Sequence, residues 1–169
     1  MENKLMSGLK KLEKLELVPC NSFERWASIR FIRNQPQNRN NFGNTFIGIQ
    51  EHHAHMKNFH THYYVCVGRR LEDEKTDYAG FIGCVDGDIR IAVNHEYHNE
   101  GIGKWMLMMF LTHVDMVAAG FGVFRGNKVK SKVKKDNAIG QRLFESVNKF
   151  EKYDENDEYV FYCLKSEKK

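Results

Sequence analysis

The apolar positions of this chain change period from one segment to the next, and each change predicts an element. Leu15-Glu16-Leu17-Val18 alternates and is stopped by Pro19, which predicts a first strand. Asn21 followed by Glu24 has the form of a capping box and predicts a helix through Ile32. Residues 33–45, rich in Asn, Gln and Gly, read as loop, and helical spacing returns from Ile49 to Phe59. Tyr63 to Val67 and Tyr78 to Val85 alternate or run apolar, which predicts two strands joined by a charged turn. Asp86-Gly87-Asp88 then signals a hairpin into a strand at Ile89 to Val93. Trp105 through Ala119 has helical apolar spacing, with Gly120 in place for a left-handed cap. Val129-Ser131-Val133 alternates with lysines as the next strand. Ala138 to Val147 reads as helix and Tyr159 to Leu164 as the last strand.

The resulting order is β, α, α, three strands, α, β, α, β. It predicts an α/β fold with a mixed sheet and helices on its faces, where a ligand binds at strand ends that part from one another. At 169 residues the chain is expected to form a single domain, 1–169, able to bury a real core. The longest apolar run, Trp105 to Leu111, is too short to cross a bilayer, and the N-terminus lacks the apolar stretch of a signal peptide. Cys20, Cys66, Cys84 and Cys163 are widely spaced and read as small buried hydrophobes in a reducing compartment. A cytoplasmic protein with no membrane partner is the expectation. A net charge of +4 is mild, suiting an anionic ligand without demanding nucleic acid.

The most informative stretch runs from Val93 to Lys104. An alternating strand leads into a polar loop that ends in Gly101-Ile102-Gly103 and opens a long apolar helix. That layout puts unshielded N–H groups at a helix N-terminus, a seat for a pyrophosphate, and the glycines permit close approach of its oxygens. Two familiar phosphate motifs do not apply. A P-loop needs Gly at position 98 and Ser or Thr at 105, where His98 and Trp105 stand; a dinucleotide fingerprint needs a third glycine where Met106 stands.

His98-Asn99-Glu100-Gly101-Ile102-Gly103 resembles the loop of the GCN5-related N-acetyltransferase (GNAT) superfamily, Arg/Gln-x-x-Gly-x-Gly/Ala after a strand, and departs from it at the first position. Downstream, Asn137 to Phe150 resembles the second signature of that superfamily, Asn-x-x-Ala-x-x-Leu-Tyr-Glu-Lys-x-Gly-Phe. Asn137, Leu143 and Glu145 match, Gly140 stands for Ala, Asn148 for the closing Gly, and the Phe is displaced to Phe150. The two signatures have 33 residues between Gly103 and Asn137 and stand in the right order. In the first half, Arg33-Asn34 and the helix carrying His52 and His53 resemble the branch that acetylates nucleotide-linked amino sugars and ribosomal-protein N-termini.

The resemblance implies a mainly antiparallel sheet splayed between its fourth and fifth strands, with acetyl-CoA as co-substrate. It implies that the backbone from Asn99 through Glu100, Gly101, Ile102 and Gly103 to Lys104, with His98 leading in, holds the pyrophosphate. The strand edge Ile91-Ala92-Val93 would pair with the pantetheine arm, helped by Asn137, Gly140 and Phe144. The Val93 N–H would polarise the thioester carbonyl, and a primary amine would attack directly, with no acyl-enzyme. Phe144 stands where many relatives have the Tyr that protonates the leaving sulfur. Water, Tyr97, Tyr153 or Tyr162 are the substitutes, and His52, His53 and His95 are the candidates for a base. The acceptor is expected to be a small-molecule amine, one option being an amino sugar on a nucleotide. A protein N-terminus or lysine is the rival within enzymes, and a catalytically silent acyl-CoA-binding module the rival outside them. A homodimer is a possible assembly.

Other clusters are read as structural. His52, His53, His55, His60 and His62 lack the carboxylate or Cys spacing of a recognised site, so no metal is expected. Lys128, Lys130, Lys132, Lys134 and Lys135 form a basic strand face that reads as solvated or, functionally, as a seat for the 3′-phosphate of CoA or for a phosphorylated acceptor. No RNA-recognition or helix-turn-helix signature appears, so no nucleic-acid partner is expected. Met106, Met108, Met109 and Met116 read as core.

Overall fold

A strand, β1 (Leu12–Pro19), and a helix, α1 (Phe23–Asn34), open the fold of the computed structural model, which describes residues 10–43, 45–121 and 129–165, with side chains left out for 113–121. The cap of α1 is Ser22, one residue later than expected. Its hydroxyl accepts from the Arg25 N–H, while Asn21 Oδ1 takes the Arg25 guanidinium at 2.8 Å and Glu24 accepts from the Tyr78 hydroxyl at 2.6 Å. The expected loop that follows holds a single helical turn, Pro36–Arg39, and a 3₁₀ turn, Asn40–Phe42. Pro36 starts the first turn because its missing N–H would have no partner there anyway.

Next come α2 (Ile49–Phe59) and the meander β2 (Tyr63–Arg70), β3 (Thr76–Val85) and β4 (Asp88–Val93). Helix α3 spans Ile102–Phe121, so it opens three residues before Trp105 and runs through Gly120, which is therefore not its cap. Strand β5 (Lys130–Lys134), helix α4 (Ala138–Ser146) and strands β6 (Phe150–Glu155) and β7 (Tyr159–Leu164) complete the fold. Sequence patterning gave no sign of β6. It is an edge strand with only Phe150 buried, so neither of its faces imposes an apolar alternation.

The seven strands form one sheet in the order β1-β2-β3-β4-β5-β7-β6. Neighbours are antiparallel except β4 and β5, which run parallel and pair only at Asp88 and Lys130. Helices cover both faces. Against one face, Trp105, Met106, Phe110 and Phe144 of α3 and α4 pack on Ile82, Cys84 and Ile89. Against the other, Trp26, Ile29, Ile32 and Met56 of α1 and α2 pack on Tyr63, Phe81 and Ala92. All four cysteines are buried, and burial pushes the thiols of Cys20 and Cys84 up to about 12 and about 11. Among the described residues no helix is long and apolar enough to cross a membrane. Lys128 lies outside the described residues, as does the side chain of Met116.

Candidate active site

Beyond the single Asp88–Lys130 pair the parallel strands separate, and a cleft of about 690 Å³ opens between them. Its lining brings together Ile91, Ala92, Val93, His98, Asn99, Gly101, Ile102, Gly103, Lys104, Asn137, Gly140 and Phe144. Glu100 is placed differently: its carboxylate accepts from the Lys10 N–H, tying the segment before β1 to the loop.

The loop reaches α3 through two left-handed residues, Asn99 (φ 65°) and Gly101 (φ 76°). Asn tolerates that region better than other side chains, and Gly enters it without penalty. The first intrahelical bond of α3 runs from Trp105 N–H to Gly101 O at 3.0 Å. Helix geometry therefore leaves the N–H groups of Ile102, Gly103 and Lys104 without an intrahelical acceptor, at the positive end of a 20-residue helix. A Cβ on Gly101 would meet nothing within 4 Å, so that side of the loop is open.

The edge of β4 forms the adjoining wall. Asn94 N–H donates to Ala79 O at 2.8 Å, so the backbone groups of Asn94, Ala92 and Arg90 turn to β3. By alternation those of Ile91 and Val93 turn to the parting. The Val93 carbonyl is held there by Asn38 Nδ2 at 2.8 Å and by His98 Nε2 at 3.1 Å. Asn38 belongs to a buried amide network that stitches the turn after α1 to the end of β4. Gln35 Nε2 donates to Asn94 Oδ1 at 2.8 Å, Gln35 Oε1 accepts from the His95 N–H at 3.0 Å, and Asn94 Nδ2 donates to Tyr78 O at 3.1 Å.

Asn137 caps α4: its Oδ1 accepts from the Gly140 N–H at 2.9 Å. A Cβ on residue 140 would come within 2.5 Å of Asn137 Nδ2 and 2.9 Å of Val133 Cγ1, so the glycine is what lets the amide sit there. Phe144 is buried, stacks on Tyr162 with ring centroids 5.5 Å apart and meets Phe150 edge-on at 5.0 Å. Of Tyr97, Tyr153 and Tyr162, only Tyr97 lines the cleft. Its hydroxyl donates to Asp77, and burial followed by that bond raises its pKa. Tyr153 is exposed, and Tyr162 donates to Glu145.

The three histidines do not line this cleft. His52 is buried between α1 and α2 with Nε2 at 2.7 Å from Trp26 O, and burial pushes its pKa down to about 4. His53 packs beside Phe23 and Trp26. His95 lies in a separate hollow with Lys10, Lys11, Arg70 and Glu96. Among the described residues no group of three or more His, Cys, Asp or Glu side chains could hold a metal ion. Sequence reasoning missed the Gln35–Asn38–Asn94 network, Phe42 and Arg90, all of which border the cleft or the end of β4. Arg90 did carry a signal, as the lone cation inside Ile-Arg-Ile-Ala-Val.

A sheet of this order, parting at its parallel pair with paired helices on each face, is the fold of the GNAT acetyltransferases. Solved structures of low identity share it across nearly the whole chain. An acetyltransferase of the GNAT family from Bacillus anthracis is 11% identical, with a TM-score of 0.60 over 91% of this chain and 96% of its own. The Campylobacter jejuni N-acetyltransferase PseH, in complex with acetyl coenzyme A, is 18% identical with a TM-score of 0.50 over 90% and 97%. The ribosomal-protein-S18-alanine N-acetyltransferase of Escherichia coli is 15% identical with a TM-score of 0.55 over 89% and 92%. No protein-family model and no curated protein matches the sequence. At these identities the likeness is one of fold.

Proposed function

We propose that the chain is an N-acetyltransferase that moves an acetyl group from acetyl-CoA to a primary amine by direct attack. One observation carries the reading: the strand edge exposed where β4 leaves β5 and the N-terminus of α3, joined by the loop 94–101, line the same cleft. In this reading the N–H groups from Asn99 to Lys104 take the pyrophosphate. The Ile91 backbone pairs with the pantetheine amides as an added strand would. Asn137 keeps its Oδ1 for the Gly140 N–H and offers Nδ2 to the same arm. The Val93 N–H points at the acyl oxygen and stabilises the charge that develops there.

Acetyl-CoA supplies an acyl group activated as a thioester. The amine nitrogen bonds to the carbonyl carbon as the carbon–sulfur bond breaks. Sulfur leaves with the electron pair, and the proton lost by nitrogen passes through water to the sulfur, giving an amide and CoA as the thiol. Phe144 donates no proton, which a thiol of pKa near ~8.5 tolerates as a leaving group. No histidine is assigned as base, so the amine reacts as its neutral fraction, and the rate rises with pH toward the amine's own pKa near ~10. Holding nitrogen and thioester together supplies the remaining acceleration.

The acceptor is a small-molecule amine, an amino sugar on a nucleotide being one option and a protein N-terminus or lysine the other class. Phe144, buried where a proton donor would serve the sulfur, favours a second reading: a module that binds acyl-CoA without turning it over. Calorimetric titration with acetyl-CoA, CoA and 3′-dephospho-CoA, followed by thiol release on an amine panel, separates these. Binding with turnover supports the enzyme, binding without turnover on any amine supports the silent module, and no binding of any of the three sinks both.

A further inference from the structure

Arg90 projects from β4 to the face that carries α1 and α2, and it lines the cleft beside Phe42. Its Nη1 donates to the Tyr63 hydroxyl at 3.3 Å, and that hydroxyl lies 3.1 Å from His55 Nε2. Burial, then Arg90 and Arg33, push the His55 pKa down. A neutral ring can accept from Tyr63 while Tyr63 accepts from Arg90, a chain that fixes the Arg90 guanidinium. Arg33 belongs to α1. Its guanidinium stands 5.2 Å from the Phe42 ring centroid and donates to Thr45 O at 3.3 Å. Both arginines are partly buried; burial lowers the Arg33 pKa, and the charge of Arg90 adds to that.

Neither guanidinium forms an ion pair with a carboxylate among the described residues, whereas Arg69 and Arg70 both do. Glu51 acts on Arg33, and Asp88 feels Arg90 first and then Lys132 and Lys130, in neither case within ion-pair distance of the guanidinium. Two partly buried like charges, Arg33 on the Phe42 ring and Arg90 on the cleft wall, are costly unless an anion joins them. Two planar forks suit a carboxylate or phosphate, which accept paired bonds.

We propose that Arg90, on the cleft wall, and Arg33, over the cleft-lining Phe42, form an oxyanion subsite for the acceptor, which is an amine carrying a carboxylate or phosphate. The assignment to the acceptor rests on the acetyltransferase reading above. It sets the substrate class: amines with an anionic group are favoured over their neutral counterparts.

The test follows the arginine Nε–H signals by NMR while β-alanine, O-phosphoethanolamine and ethanolamine are added in turn. The signals of Arg33 and Arg90 should shift saturably with at least one of the two anionic amines and not with ethanolamine. The stronger of the two identifies carboxylate or phosphate as the group recognised. Arg90→Gln should weaken that binding at least about tenfold and raise KM for the anionic amine alike, leaving KM for ethanolamine unchanged. No shift with either anion, or an equal shift with ethanolamine, overturns the subsite. So does an Arg90→Gln variant that loses CoA affinity but keeps that for 3′-dephospho-CoA, since the arginines would then serve the co-substrate. Acetyl-CoA added to the same sample reports through the amides of Gly101 to Lys104. If those stay still, the acetyltransferase reading falls and the acceptor assignment with it. If they move while the arginines do not, the subsite alone falls.

Discussion

Replacing Asn38 tests whether the buried amide network holds the end of β4. Asn38 is 4% exposed, and its Nδ2 donates to Val93 O at 2.8 Å and Ile32 O at 2.9 Å, with Gln35 Oε1 at 3.3 Å sharing a proton. Ala at this position loses two good bonds, at about 1 kcal/mol net each. No acceptor is orphaned. Ile32 O keeps the Gln35 N–H, Val93 O keeps His98, and Gln35 Oε1 keeps the His95 N–H. The cost should therefore stop near ~2 kcal/mol, a fall in Tm of about 4–8 °C for a chain of this size. Asp is the sharper probe, because it has the shape of Asn but turns a carboxylate toward three acceptor oxygens. Its buried charge should make Asn38→Asp less stable than Asn38→Ala at pH 7. That environment raises the folded-state pKa of the new carboxyl above its unfolded value near ~3.9. The stability of the protonated form is then fully present below the unfolded value and lost as pH rises through the folded one. Urea unfolding of both variants from pH 4 to pH 8 measures this, and Asn38→Asp should overtake Asn38→Ala at the acid end. An aspartate variant as stable as the alanine one at pH 7, or an alanine cost under about 0.5 kcal/mol, would refute the network as the brace of β4.

Three other outcomes are expected. Gly101→Ala should cost about 1 kcal/mol through its left-handed backbone alone, since a Cβ there meets no atom within 4 Å, while Gly101→Trp should add loss of acetyl-CoA affinity with the fold retained; calorimetry showing unchanged affinity would remove the pyrophosphate from this loop. Phe144→Tyr should fold and raise turnover, because the ring lines the cleft; a Tm lowered by more than about 8 °C would mean its para position is packed in the core. His52, depressed to about 4 in the folded state, contributes stability that is present above the unfolded value near ~6.5 and lost as pH falls toward 4. His52→Gln can still donate to Trp26 O and should flatten the stability curve in that window, measured by urea unfolding; a curve as steep as the parent's would place the acid sensitivity elsewhere, for example at His55, which burial also depresses.

Strongly periodic, buried segments were legible in the sequence. The strand Ile89 to Val93 and the apolar helix after Gly103 are read from alternation and spacing alone, because each is buried against something the pattern must match. Strand β6 was not, since an edge strand with exposed faces carries no such pattern. The Asn-rich stretch after α1 was read as loop for a sound reason, yet its amides find partners some 55 to 60 residues away, at Val93, Asn94 and His95. Nothing local announces those pairings. The histidines illustrate the opposite failure: His52 has the right chemistry for a base, but residue type does not reveal that its ring nitrogen is spent on the Trp26 carbonyl.

The departure at His98 has a consequence for how the loop works. The superfamily pattern places Arg or Gln there, whereas in this chain the imidazole turns back and binds the carbonyl that Asn38 also holds. Val93 is thus clamped from the α1 side by an amide and from the loop side by a ring. Two donors on one carbonyl, with the Asn94 N–H of the same peptide bound to Ala79 O, fix the Val93–Asn94 peptide that follows the Val93 N–H at the end of β4. With His98 committed to Val93, the anionic ligand proposed for the loop must be held by backbone N–H groups and the α3 dipole. His98→Ala should therefore lower turnover more than it lowers acetyl-CoA affinity; an equal loss of both would mean that the imidazole contacts the ligand instead.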